Sequence, residues 1–398
     1  MILEFLLTLF AVLISTSLLM VSIECLVTII KSQSQSIASG LVDTTHNYRI
    51  LIPAHNEGSI IGNTLSQMIA QLPNQNPADI VVVADNCTDN TADIARSLDV
   101  VVLERTNIEQ RGKGFALDFG IQYLRANNPP KVLVIMDADC ETDKASFVQL
   151  INSVIKLNLP AQMTYLMRIK QDASIKQKIA GFAWLLKNKV RLIAVNILGL
   201  PVTLTGTGMA FPWQVFDHVQ IGHGNIVEDM QLGIDCAVNR FPPVLCPEAI
   251  VYSDFPEQAS AELSQRTRWE HGHLQTIFKQ VPALIKQSYQ QKNWRLLALA
   301  LDIGVPPLSL LVATALSSLA LLGVFSLVTG NATAFFILLA SFSFFTAMLS
   351  LVWWIHGQAY LSAKEVLSIP LYVVSKLSIY TSFILKRQKE WVRTNRDA

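Results

Sequence analysis

The chain predicts an α/β fold built on a parallel sheet and flanked by transmembrane helices. Three observations predict it. From Tyr48 to about Gln280, β-branched runs alternate with helix-length segments: "YRILIPAHNE", "DIVVVADNCTDN", "VVVLERT" and "KVLVIMDADC". Polar groups stand just past the ends of these runs, at Glu57, Asp85 and the pair Asp137 and Asp139. Long uncharged stretches bracket the region, and 51% hydrophobic against 15% charged residues exceeds what a soluble enzyme usually carries.

Taken in order, residues 5–23 carry no charge between Glu4 and Glu24 and are long enough to cross a bilayer. No Lys or Arg precedes them and Lys31 follows, which disfavours a cleaved signal peptide. The charge bias orients a helix over 1–31 with its N-terminus outside and the rest in the cytoplasm. A Ser/Gln-rich stretch, "KSQSQSIASG", leads into a linker at 32–47. The domain at 48–280 alternates strands with helical segments at 58–71, 90–97 and 113–126, the signature of βαβ units. Sheets of this kind bind ligands beyond the carboxyl ends of their strands.

After Trp294 the chain turns apolar again. An interfacial segment is expected at 281–305, since Asp302 and Pro306-Pro307 interrupt the stretch 295–304. Two spans follow at 306–328 and 333–355, joined by "TGNAT". Residues 366–385 contain Pro370 and Lys376. A span there would carry Lys386, Arg387, Lys389, Arg393 and Arg396 outside, so 356–398 reads as an amphipathic helix on the inner face with a basic tail.

A net charge of +1 without a basic block excludes a general nucleic-acid binder. Cys25, Cys87, Cys140, Cys236 and Cys246 are odd in number and form no CxxC pair, so neither a disulfide framework nor a structural zinc site is indicated. No G-x-G-x-x-G follows the first strand, which disfavours a dinucleotide-dependent oxidoreductase.

Two carboxylates one residue apart after a buried strand, Asp137 and Asp139, suit Mg²⁺ or Mn²⁺, whose shells are completed by water and phosphate oxygens. A solvated turn, with Asp143 capping the next helix, is the plainer reading. Glu228 and Asp229 stand side by side before a helical run. Gln265, Arg268 and Trp269 fall on one helix face and could hold a diphosphate and stack on a sugar; taken alone, an amphipathic helix with a buried Trp and a surface Arg is the better reading.

The order "IPAHNE", "VVADNCTDNTA", "RGKGFAL", "MDAD", "TGTGMAF", "VEDMQLG", "QRTRW" over residues 50–269 resembles membrane-bound family-2 glycosyltransferases, in particular the cellulose, chitin and hyaluronan synthase-like branch. The resemblance implies a GT-A fold and transfer of a sugar, with inversion, from a nucleotide diphosphate, usually UDP, to an acceptor hydroxyl. It implies a divalent cation on Asp139 with Asp137 nearby, Asp229 as base and Glu228 orienting it or the acceptor. Pro53, Ala54, Glu57, Asp85 and Lys113 would line the donor nucleotide, and Asp137, Gln265 and Arg268 its diphosphate. Trp269 and the turn Thr205, Gly206, Thr207, Gly208 would shape the acceptor site.

Some positions depart from that pattern. His55 stands where an aromatic residue is common, and Ala84-Asp85 replaces an acidic pair. "EHGH" at 270–273 is better read as structural or acceptor-lining than as zinc-binding, because two His two residues apart diverge on a helix. Cys87 and Cys140 read as packing residues. The expected function is polysaccharide synthesis at the inner membrane, on a polysaccharide or lipid acceptor, with an export partner or homo-oligomer completing a channel. The alternatives are a non-processive enzyme glycosylating a lipid and a non-catalytic scaffold.

Overall fold

The structure is a computed structural model describing residues 2–31, 47–222 and 224–385. All of the expected linker but Asn47, and the basic tail from Lys386 onward, lie outside the described residues. The chain begins with α1 (Ile2–Lys31), followed by β1 (Tyr48–Ala54), α2 (Ile61–Gln71), β2 (Ile80–Asp85), α3 (Thr91–Arg96), β3 (Val101–Arg105), α4 (Lys113–Asn127) and β4 (Val132–Ile135). Next come β5 (Glu141–Thr142), α5 (Lys144–Leu157), β6 (Ala161–Arg168), α6 (Ile175–Leu185), a π-helical turn at Leu186–Arg191, and α7 (Leu192–Ile197). The remainder is β7 (Met209–Pro212), α8 (Glu228–Val238), β8 (Val244–Asp254), α9 (Ala259–Gln291), α10 (Trp294–Gly304), α11 (Leu308–Thr329), α12 (Thr333–Val352), α13 (Ala363–Val366) and α14 (Ile369–Leu385).

The described residues form two compact units, one of 47–168 with 199–272 and one of 2–31, 169–198 and 273–385. The first holds an eight-stranded sheet in the order β3-β2-β1-β4-β7-β6-β8-β5. From β3 to β4 the strands are parallel, and their apolar runs are what burial on both faces requires. Leu51, Val83, Leu133 and Ile135 pack with Leu117 and Ile121 of α4 on one face. The parallel sheet expected from the βαβ units holds from β3 to β4 and turns mixed beyond β4. β7 runs antiparallel to β4 and β6, and β5 antiparallel to β8. These short strands carry no periodicity of their own; pairing with distant residues decides their direction. β1 lies between β2 and β4, so the chain leaves it in opposite lateral directions, and the crevice at its carboxyl end is where such sheets take ligands. Asp143 caps α5 by accepting from Ser146 N at 2.7 Å.

The second unit contains three helices long and apolar enough to cross a membrane, Ile2–Lys31, Leu308–Thr329 and Thr333–Gly357. Residues 169–198, read from the sequence as part of the strand-bearing domain, belong here. The reason is ionic: Arg191 pairs with Asp302 at 2.6 Å and with Glu24, both buried, and Thr28 Oγ1 donates to Val190 O at 2.6 Å. α10 buries Leu296, Leu299 and Ile303 and exposes Trp294, Leu297 and Leu301. α14 has 17 residues up to Leu385, the last one described, and its Tyr380 hydroxyl lies 2.5 Å from Ser309 Oγ.

Candidate active site

Four polar loops of the sheet unit follow strand ends, and their residue types explain their shapes. Asn56 and Asn86, just past β1 and β2, have φ of 55° and 52°, a left-handed conformation that Asn tolerates better than most side chains. Their amides then staple the loops: Thr88 N donates to Asn56 Oδ1 at 2.6 Å and Asn107 N to Asn86 Oδ1 at 2.8 Å. Glu57 N donates to Thr91 Oγ1 at 2.8 Å. Pro53, Ala54, Glu57 and Asp85, the expected donor residues, are thus drawn together at the carboxyl ends of β1 and β2.

Asp85 is buried, and its Oδ1 accepts from Arg105 Nη1 at 2.6 Å. His55 Nδ1 donates to the Asp85 carbonyl at 2.6 Å, since a carbonyl can only accept. Arg105 was not singled out in the sequence; its only signal was a basic residue ending an apolar strand. Its guanidinium also lies 5.9 Å from the centre of the Phe115 ring. Cys87 packs under the turn with Sγ 3.5 Å from Ala54 O, and burial pushes its thiol up from the ordinary value, so it is no nucleophile.

At the end of β4, Asp137 N donates to Thr207 Oγ1 at 3.0 Å. Lys113, the first residue of α4, bonds the Asp137 carboxylate, donates to Gly206 O at 2.8 Å and lies 3.8 Å from Glu228 Oε1. Burial disfavours the charged amine; Asp137 and Glu228 outweigh it and hold the ammonium above its ordinary value. Glu228 and Asp229 open α8, where acids suit the helix dipole, and Met230 N donates to Asp229 Oδ1 at 2.8 Å. Burial pushes Glu228 up to about 7, with Lys113 opposing and Asp229 adding to the rise.

The turn Thr205–Gly208 closes this group. Gly206 has φ of 94°, and a Cβ there would lie 3.3 Å from Asp229 Oδ2 and 3.6 Å from Lys113 Nζ. Gly208 has φ of 64° and a place for a Cβ only 2.8 Å from Val251 Cγ1. Glycine is required at both points. The structure therefore brings Asp137, Lys113, Gly206, Thr207, Glu228 and Asp229 into one constellation.

Asp139 Oδ2 accepts from Ser253 Oγ at 3.1 Å, and Cys140 Sγ lies 3.5 Å from Asp139 Oδ1. One ligand atom each from Asp137, Asp139 and Cys140 fall within 4.8 Å of one another, a set of the right size for a cation. Burial, then Asp139 and Asp137, raises the Cys140 thiol well above its ordinary value, so it stays neutral and the carboxylates are the natural hard ligands.

Gln265, Arg268 and Trp269 lie on the early turns of α9. Gln265 is buried, and its Oε1 has no hydrogen-bond partner among the described residues. One turn on, a Cβ at Gly272 would meet Val227 Cγ1 at 2.6 Å, so α9 presses against the residue before Glu228. His273 Nε2 lies 3.0 Å from Ile303 O; burial, then Lys187, pushes the ring down to about 3 and keeps it a neutral structural group.

The sheet order, with acids after β4 and a second acidic pair at the start of α8, is the arrangement of a GT-A fold. Residues 46–272 match the family described as "Glycosyltransferase like family 2", and the chain belongs to that family. It is 24% identical over 261 residues to the probable glycosyltransferase YdaM of Bacillus subtilis (strain 168), a match covering 62% of this chain and 59% of that protein, so the chain spans about three-fifths of that relative's length. It is 33% identical over 129 residues to 4,4'-diaponeurosporenoate glycosyltransferase of Staphylococcus aureus (strain USA300), 32% of each chain. The fold is similar to that of the mannosyltransferase PcManGT from Pyrobaculum calidifontis in complex with GDP-Man and Mn2+, with a TM-score of 0.57 and 13% identity over 96% of this chain and 100% of that one.

Proposed function

We propose that this chain is an inverting, metal-assisted transferase. It moves a sugar from a nucleotide diphosphate, UDP being the nucleotide its motifs resemble, to a hydroxyl acceptor at the cytoplasmic face of the inner membrane, in polysaccharide synthesis. The observation that carries the reading is the shared contact of Lys113 with Asp137 and Glu228, which unites the acids after β4 with those opening α8.

In the mechanism, Pro53, Ala54, Glu57 and Asp85 hold the nucleoside, with Arg105 fixing the Asp85 carboxylate. Asp139 and Asp137 would hold Mg²⁺ or Mn²⁺, which supplies positive charge to the departing diphosphate. Lys113 remains an ammonium and screens Asp137 from Glu228. Gln265 and Arg268 close over the diphosphate, where fixed donors act on charge as it develops. Asp229 takes the acceptor proton as the oxygen attacks the anomeric carbon from the face opposite the leaving group. Glu228 orients Asp229 or the acceptor. Trp269 and the Thr205–Gly208 turn form the acceptor wall. The sheet unit is the catalytic domain; α1, α11 and α12 anchor it, and α14 lies along the inner face. A homo-oligomer or a separate exporter would complete a channel that three spans leave small.

A second reading, transfer to a single lipid acceptor, is favoured by the S. aureus relative, whose name is that of a 4,4'-diaponeurosporenoate glycosyltransferase rather than of a polymer synthase. Labelled UDP-sugars offered to the full chain in native membranes separate the two: polymer supports the first, one organic-extractable product the second. Asp229→Asn tests the chemistry common to both. It is expected to abolish transfer and keep nucleotide affinity; near-normal turnover would remove Asp229 as base.

A further inference from the structure

Gln162 is a fully buried amide on β6, in a strand that is otherwise a core element, and every polar atom of its side chain is engaged. Its Nε2 donates to Thr207 O at 2.9 Å and to Met163 O at 2.9 Å, with Gly208 O a further 3.4 Å contact. Its Oε1 accepts from Thr205 N at 2.9 Å. One side chain thus grips the Thr205–Gly208 turn before and after Gly206. Neither glycine supplies stiffness of its own: both hold positive φ and are the residues freest to leave it. The same turn offers Gly206 O to Lys113 Nζ and Thr207 Oγ1 to Asp137 N.

We propose that Gln162 is a positioning residue for sugar transfer, its buried amide holding the Thr205–Gly208 turn so that the acceptor wall stands in fixed register with Asp229 and Lys113. The inference rests on the active-site reading above and names a residue that reading does not use. An apolar side chain of similar length would fill the same space and fix nothing. A carboxylate would keep the acceptor for Thr205 N but, when ionised, would face the Thr207, Gly208 and Met163 carbonyls as a like-charged neighbour. Protonated, it regains a donor and an acceptor.

The test uses Gln162→Met and Gln162→Glu in the full chain in detergent. Three quantities are read: amide hydrogen exchange over 204–209, nucleotide affinity with Mn²⁺, and steady-state kinetics against pH. Gln162→Met is expected to speed exchange in the turn and lower kcat by about tenfold or more, with nucleotide affinity within about twofold of wild type. Gln162→Glu is expected to lose kcat at alkaline pH and recover part of it as the pH falls, a profile the wild type lacks. Unchanged exchange or unchanged kcat in Gln162→Met overturns the proposal. So does a loss of nucleotide affinity parallel to kcat, or a Gln162→Glu defect independent of pH, since either marks a merely structural amide. Faster exchange in a chain whose wild type transfers no sugar from any nucleotide would sink the transferase reading and, with it, the catalytic role of Gln162. If Gln162→Met does not fold, the pH profile of Gln162→Glu decides.

Discussion

Lys113 Nζ lies 3.8 Å from Glu228 Oε1 while its shorter bond runs to Asp137. One ammonium therefore stands between two acidic pairs that are far apart in the chain. Lys113→Met leaves those acids facing one another across a partly buried gap, and like charges there resist joint ionisation. Turnover is expected to fall by about tenfold or more, with weaker metal-dependent nucleotide binding, both read by steady-state kinetics and calorimetry. Wild-type turnover in that variant would mean the ammonium is dispensable.

Glu228 gives the protein a pH signature. Its folded value near 7 exceeds the ordinary 4.5, because burial favours the neutral acid. Between those values the fold binds a proton that the unfolded chain releases, so this group's contribution is complete below about 4.5 and is lost as the pH rises through 7. Melting temperature should drop across that window, and Glu228→Gln should flatten the slope. An unaltered slope in the Gln variant would assign it to another group.

Asp85 and Arg105 form a buried ion pair at the carboxyl ends of β2 and β3. Removing one partner leaves an uncompensated charge, a loss of about 3–5 kcal/mol when fully buried. Arg105→Ala should lower the melting temperature and raise the donor KM while acceptor KM changes little. A variant with an unchanged donor KM would detach Asp85 from nucleotide binding.

The two glycines of the turn should fail differently. In Gly208→Ala the new Cβ meets Val251 and Met163 at positive φ, a strain of about 1–3 kcal/mol expressed as stability. In Gly206→Ala the Cβ faces Asp229 and Lys113, so activity should fall further than stability. Comparing melting temperature with kcat for the pair tests this; equal ratios would place both glycines in a purely structural role.

Patterns held within a few residues were readable before the structure was. The β-branched runs of β1, β2 and β4, the Asp137/Asp139 pair and the Glu228/Asp229 pair each announce themselves locally. β7 does not, because "MAFP" takes its direction from β4 and β6. Gln162 hides inside an apolar strand, with Thr205 as its partner 43 residues on. Asp302 was legible as an interruption in an apolar stretch, yet its meaning lies with Arg191, 111 residues before it. Such groups are selected by a buried environment that only tertiary packing creates.

The Glu24–Arg191–Asp302 cluster bears on how this enzyme can be handled. Clipping the first thirty-one residues to obtain a water-soluble form would take away Glu24 and, with it, the Thr28 hydroxyl that satisfies Val190 O. The π-helical turn would lose that hydrogen bond, and the largely buried Arg191 guanidinium would keep Asp302 but not Glu24. Solubilisation by surface redesign, with the leading helix retained, is the safer route to crystals.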